Sequence, residues 1–407
     1  MKILHVLTQL PAKTGSGVYF TNLIESLNLI GVENAAIYGM EERYRSLLAV
    51  NAEKILEVQY DSEEIPFHIC GMSDIMPYDS TIYSHMTEDG LDILTGAFRK
   101  RLIQMKEEFN PDIVISHHLF LITDLVREVF KDRKVVGICH GTDIRQVKQH
   151  EKFLARLKNI HNLDKVLTVT PAEHEDIVNL FGIEREKIHL VGGGYDGNIF
   201  YPDTKQKKDD IIRIMYAGKI VESKGVFALA ATLPIIEKKH PNVQIHIVGK
   251  SKKEDRDRLN SLANNSDKLW IYNAENQKIM ADHLRDADIF VLPSYFEALG
   301  LIAVEALACH KLVVASEIDG LKKLLGEELV SSHIIEFTKL PRLYDVDKPV
   351  AEDVDAYVER LAENITLQIG RLGENIFTEK IAREIDEISW KNIGKKIFGI
   401  IHDQPII

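Results

Sequence analysis

No run in this 407-residue chain reaches the ~18 consecutive apolar residues that a membrane-crossing helix needs. The opening MKILHVLTQLP is too short and too quickly broken for a secretory leader, and reads instead as a buried first strand of a cytoplasmic protein. Cysteine is scarce. Cys70, Cys139 and Cys309 are odd in number, have no metal-ligand spacing, and fit a reducing compartment. Positive charge is in deficit: the formal net charge of −12 argues against nucleic acid as a partner, although a local basic patch can survive within it. No repeat of fixed period occurs. No G-x-G-x-x-G with an acid beyond it follows either opening strand, which speaks against a nicotinamide dehydrogenase. Glycine and proline are not in excess and hydrophobic residues make up 45%, so sizeable cores are expected over two to three domains.

What is present is alternation. Short β-branched runs separated by longer amphipathic ones predict parallel strands covered by helices. In the first half the strands are expected at residues 2–7, 35–38, 112–116, 134–139, 165–169 and 187–191. In the second half they are expected at residues 211–216, 243–248, 268–272, 288–292, 311–315 and 333–337. DTKQKKDD, residues 203–210, has no apolar residue and is the natural linker between a first domain (1–202, rejoined by a terminal helix at about 380–407) and a second (211–379). Each half opens with a strand, a glycine-bearing loop and a helix. The fold class is therefore α/β, with two Rossmann-like doubly wound domains facing a central cleft at their strands' carboxyl ends. Residues 40–110 fit this pattern least and read as an irregular insertion.

Chemistry concentrates in two places. Gly218-Lys219 and Lys224-Gly225 flank a strand-to-helix turn suited to a diphosphate, because the helix dipole and both ammonium groups favour negative charge. PSYFEALGLIAVEALA, residues 293–308, carries Glu297 and Glu305 in otherwise apolar or small surroundings. A buried carboxylate needs a partner. Either Glu305 pairs with a basic residue elsewhere, or hydroxyls of a visiting ligand satisfy it, as a ribose diol does in dinucleotide-binding folds. His140, in HGTD, follows the apolar strand VVGIC. His117 and His118 end a comparable strand and, pointing to opposite faces, favour a structural or acceptor-side role over metal ligation. The basic run Phe98–Lys106 reads as a solvated helix face before a membrane-surface contact.

The E-x7-E spacing of Glu297 and Glu305 resembles that of the retaining nucleotide-sugar glycosyltransferases of family 4, which have the GT-B fold. So do GSG at Gly15, Ser16 and Gly17, HGTD at His140–Asp143, GGGYDGNIF at Gly192–Phe200, GKIVESKG at Gly218–Gly225, and the terminal ISWKNIGKKIFGII. The resemblance implies that Glu305 holds the ribose, while Glu297 with the backbone at Leu299, Gly300 and Leu301 holds the transferred sugar. It also implies that Lys219 and Lys224 neutralise the diphosphate, that His140 sits near the anomeric carbon, that Asp143 helps to bind substrate, and that the Gly15–Gly17 loop closes over the phosphates. Tyr272–Ala274 resembles the place where such enzymes hold the base, with Ala274 as the contact. Three departures stand out: Lys219 where the family more often has arginine, EALGL at Glu297–Leu301 where it has EGFGL, and DGLKK at Asp319–Lys323 for its G-G-x-P-E segment, with the Lys323 cation in place of an acid.

The activity implied is hexose transfer from a nucleoside diphosphate sugar, with UDP as the expected nucleotide, to an unidentified acceptor. No cofactor is implied and no metal is required, since fixed cations perform its electrostatic task. Retention fits the lack of a second carboxylate able to act as nucleophile across the donor. The rival readings are a GT-B epimerase or phosphorylase, and a catalytically silent sugar-nucleotide-binding or partner subunit.

Overall fold

The computed structural model describes residues 1–74, 76–203 and 209–403. It divides into two compact units, Met1–Gly193 with Trp390–Ile407, and Gly194–Ser389.

In the first unit seven strands form one parallel sheet: β1 (Lys2–Leu7), β2 (Glu33–Met40), β3 (Lys54–Gln59), β4 (Ile113–His117), β5 (Lys134–Cys139), β6 (Lys165–Thr168) and β7 (Ile188–Leu190). Their order is β3-β2-β1-β4-β5-β6-β7. Leu4 of β1 lies between Ala35 and Val114. The runs are nearly all apolar because helices cover both faces: every residue of β1 from Ile3 to Leu7 is buried. Helix Trp390–Ile401 belongs to this unit. Its Ile393, Ile397 and Ile401 join Tyr19, Leu23 and Leu27 of helix Gly15–Asn28 in one buried cluster, and Trp390 meets Tyr19 edge-on at 4.7 Å. Each of these side chains contributes on the order of 1.5–3 kcal/mol of burial.

The second unit carries β8 (Ile212–Ala217), β9 (Val243–Val248), β10 (Leu269–Tyr272), β11 (Ile289–Leu292), β12 (Leu312–Ser316) and β13 (Ile335–Thr338), all parallel, in the order β10-β9-β8-β11-β12-β13. Ile214 sits between Ile245 and Ile289. Of the stretch read as a linker, residues 204–208 lie outside the described residues. The segment ahead of it packs with this unit, where Phe200 is buried and the Tyr195 N–H donates to the carbonyl of Ile388 at 3.3 Å.

Residues 40–110 are more regular than their sequence suggests. Lys54–Gln59 adds edge strand β3 to the sheet, paired from Ala35↔Lys54 to Met40↔Gln59. Residues 88–108 form a 21-residue helix whose Thr87 hydroxyl accepts the Gly90 N–H. An edge strand is covered less completely than an inner one, so KILEVQ keeps charged residues that hide its pattern. The basic run within that helix is paired: Arg99 with Glu128, Arg101 and Lys100 with Glu64, Lys106 with Asp132. Among the described residues no helix is long and apolar enough to cross a membrane. All three cysteines are free and buried.

Candidate active site

In both sheets the strand order reverses beside the first strand, at β1/β4 and at β8/β11, and the loops leaving those strands are where an open parallel sheet forms a crevice. In the second unit these loops are Gly218–Gly225 and Pro293–Gly300. They are joined residue by residue. The Tyr295 N–H donates to the Ser223 carbonyl at 2.9 Å. Lys224 Nζ lies 2.6 Å from Glu297 Oε1, which also accepts the Ser294 hydroxyl at 3.1 Å. Gly225 is left-handed (φ +63°), and a Cβ there would lie 1.9 Å from the Pro293 carbonyl oxygen, so only glycine permits the approach. The Tyr357 hydroxyl donates to that same oxygen at 3.0 Å. Gly320 does for the second loop what Gly225 does for the first: its missing Cβ makes room for the Ala298 carbonyl.

Lys224 and Glu297, assigned from the sequence to phosphate and sugar respectively, are thus partners of one another here. Lys219 is exposed at the end of β8, where its own carbonyl accepts the Tyr216 hydroxyl at 2.7 Å. Leu299 and Gly300 are buried, and Gly300 (φ +67°) turns the chain into helix Leu301–Ala308. Glu305 lies in the middle of that helix, partly buried, and among the described residues no hydrogen bond or ion pair engages its carboxylate. Burial pushes its pKa up to about 8. A permanent basic partner is therefore ruled out within the described residues. Lys323 is exposed near the start of helix Asp319–Ser331, while its neighbour Lys322 pairs with Glu317.

A cavity of about 630 Å³ opens at the carboxyl ends of β8, β9 and β10, lined among others by Lys219, Lys250, Lys252, Asp255 and Asn273. Sequence reasoning missed Lys250, Lys252 and Asp255, and in the stretch Tyr272–Ala274 it fixed on Ala274 and not on Asn273. The signal was there: β9 ends in Gly249-Lys250 as β8 ends in Gly218-Lys219, and the two glycines touch, since a Cβ on Gly249 would lie 2.1 Å from the Gly218 carbonyl oxygen. Ala274, the expected base contact, is turned into the core, and its neighbour Asn273 lines the cavity instead.

In the first unit the expected Gly15–Gly17 loop is not a loop. It is the first turn of helix Gly15–Asn28, because the Thr14 hydroxyl accepts the Gly17 N–H at 3.1 Å and caps it. The Ser16 hydroxyl donates to Gln9 Oε1 at 2.9 Å, and Gly17 packs against the Leu10 carbonyl, so this turn anchors the preceding loop. Asp143 is fully buried. Its carboxylate accepts the backbone N–H groups of Leu119, Ile144 and His140 at 2.8, 3.2 and 3.4 Å and so holds two loops together. His140 is partly exposed, and His117 and His118 both reach it. His117 Nδ1 lies 3.1 Å from His140 Nε2 with the rings near parallel, and the His118 ring centre is 4.7 Å away. Adjacent residues converge because His118 adopts φ +69°, which breaks the strand's alternation. Burial lowers all three pKa values, that of His140 to about 3.

Two family profiles adjoin along the chain: Glycosyltransferase Family 4 over residues 85–198 and Glycosyl transferases group 1 over residues 199–336. The glycogen synthase of Mycobacterium tuberculosis is 25% identical over 261 residues, 60% of this chain and 60% of that protein. The D-inositol 3-phosphate glycosyltransferase of Paenarthrobacter aurescens is 26% identical over 175 residues, 40% of this chain and 43% of that protein. The chain thus spans less than two thirds of the curated relatives it matches. Among solved structures, a glycosyltransferase from Rickettsia africae superposes with a TM-score of 0.68 at 16% identity over 99% of this chain and 98% of that one. The Anabaena protein HepE in complex with UDP does so at 0.66 and 15%, over 99% and 100%.

Proposed function

We propose, on the premise that this chain belongs to the GT-B glycosyltransferases, that it moves a hexose from a UDP-sugar to an acceptor with retention at the anomeric carbon. The observation that carries the reading is the Glu305 carboxylate, poorly solvated and without a protein partner at a switch-point helix. A carboxylate so placed accepts hydrogen bonds, and a ribose diol supplies two donors at the spacing of its oxygens. The cavity at the carboxyl ends of β8, β9 and β10 has the volume for a nucleoside, and Lys219 in its lining meets the diphosphate. A donor entering here takes over Lys224 for phosphate and leaves Glu297 to the sugar hydroxyls, so the apo ion pair is exchanged for two ligand contacts.

In the reaction, charge grows on the leaving phosphate oxygen as the glycosidic bond breaks. Lys219, Lys224 and the N–H groups at the start of helix Leu301–Ala308 stabilise it. The acceptor hydroxyl attacks the same face and passes its proton to that oxygen, so no carboxylate nucleophile is needed. His140 and its loop are assigned to substrate, with Asp143 and the Gly15–Gly17 turn as supports. HepE, solved with UDP and with UDP-glucose, favours this class of donor.

A thermal-shift panel of UDP, GDP, ADP and their common sugars tests the reading, since a ligand raises stability by RT ln(1 + [L]/Kd). UDP compounds give the largest shift, and Glu305→Ala removes most of it. Shifts of equal size in the variant and the parent would remove the ribose assignment.

A further inference from the structure

Three histidines meet at the ends of β4 and β5, and their bonding is asymmetric. His140 Nε2 and His117 Nδ1 are 3.1 Å apart, so one hydrogen lies between them. Both rings are neutral: desolvation holds His140 near 3, and His117 lower than its ordinary value with His140, His5 and His118 adding repulsion. The other nitrogen of His117, Nε2, is buried without any partner. Tyr19 and Phe20 cover this ring edge-on, and Tyr19 also packs on His140 while its own hydroxyl donates to the Gly192 carbonyl. Neither nitrogen of His118 is engaged. No acid therefore reaches the pair among the bonds made by the described residues.

The position of the shared hydrogen follows from what each arrangement strands. A hydrogen on His117 Nε2 would leave a buried N–H with no acceptor, a second beside the one that His118 already carries, and each such group costs more than a stranded lone pair. A hydrogen on His117 Nδ1 strands only a lone pair, the cheaper omission. His117 then donates to His140 Nε2, and His140, neutral with one nitrogen occupied as acceptor, keeps its hydrogen on Nδ1. Of the three rings only that of His140 is partly exposed.

We propose that His117 is a positioning residue that fixes His140 in the Nδ1–H tautomer, so that His140 meets a substrate oxygen as a hydrogen-bond donor and not as a base. This rests on the reading of His140 as a residue that meets substrate, and it agrees with a scheme in which the leaving phosphate, not a side chain, takes the acceptor's proton. It also makes His117, which never reaches the surface, a determinant of turnover.

Long-range 1H–15N correlation spectra of the full chain at neutral pH, without ligand, read the tautomer directly. The expected result is a pyrrole-like Nδ1 and a pyridine-like Nε2 on His140. His117→Leu, which can donate nothing, shifts His140 toward the Nε2–H form, and His117→Asn, whose amide N–H can stand where Nδ1–H stood, shifts it back. Hydrolysis of a UDP-sugar without acceptor falls about tenfold in His117→Leu, as for loss of one well-placed hydrogen bond, with KM within about twofold, and recovers in His117→Asn. A pyridine-like Nδ1 in the parent, or the parent's tautomer persisting in a folded His117→Leu, overturns the proposal. If His117→Leu does not fold, the parent spectrum alone decides. A parent with the expected tautomer that binds no nucleotide sugar sinks the functional reading and leaves this assignment standing; the opposite pair of results does the reverse.

Discussion

Donor binding should release a proton. Glu305 is protonated in the free protein at neutral pH, since burial sets its pKa at about 8, whereas hydroxyl groups donating to it favour the ionised form. At pH 7 a group of that pKa is about nine-tenths protonated, so binding releases on the order of 0.9 proton. The affinity then rises about tenfold between pH 6 and pH 7 and flattens above 8, since one proton released gives unit slope. Titration calorimetry of a UDP-sugar, whose diphosphate diester does not titrate in this range, measures both quantities when run in phosphate and in Tris at each pH. Glu305→Gln flattens the profile. The same linkage acts on stability: because the folded pKa is raised from 4.5, the contribution of the protonated carboxyl is complete below about 4.5 and is lost as pH rises through about 8. A parent affinity independent of pH from 6 to 8, or a slope kept by Glu305→Gln, would refute the reasoning.

Glu297→Gln frees Lys224 from its partly exposed ion pair, worth up to about 1 kcal/mol, so UDP alone binds up to about fivefold tighter while turnover of the UDP-sugar collapses; calorimetry and a hydrolysis assay separate the two. Gly225→Ala must both adopt φ +63° and displace the Pro293 carbonyl, which costs about 2 kcal/mol or more and lowers the unfolding transition by several degrees in calorimetry. Asp143→Ala strands three backbone N–H groups and costs on the order of 3 kcal/mol in denaturant titration, while nucleotide affinity of the folded protein is expected to stay unchanged if its role is that of a support.

The twelve strands expected from the sequence all form: an inner strand such as Ile289–Leu292 writes itself as an unbroken apolar run, while VQIHIV and IEFT keep enough β-branched and aromatic residues to be read despite a polar face. β3 escaped notice because its edge position lets Glu57 and Gln59 stay in it. Glu305 was legible for a similar reason, as an acid in a setting that offers it nothing. What could not be read was who touches whom across loops. That Lys224 closes on Glu297 depends on the close approach of two loops at Gly225, and that Asp143 spends its carboxylate on backbone and that Asn273 and not Ala274 faces the cavity depend on loop conformations that the local sequence does not write. The GSG motif misled because glycines read as loop, while a threonine one residue earlier starts a helix there.

Helix Trp390–Ile401 completes the hydrophobic cluster begun by helix Gly15–Asn28, although nearly the whole chain is synthesised between them. On the ribosome, helix Gly15–Asn28 emerges with Tyr19, Leu23 and Leu27 uncovered and must wait for residues 390–401 before that side is sealed. A frameshift or premature stop near residue 390 would therefore damage packing about 370 residues upstream, and such a product would be expected to collect chaperones through the surface those three side chains leave bare.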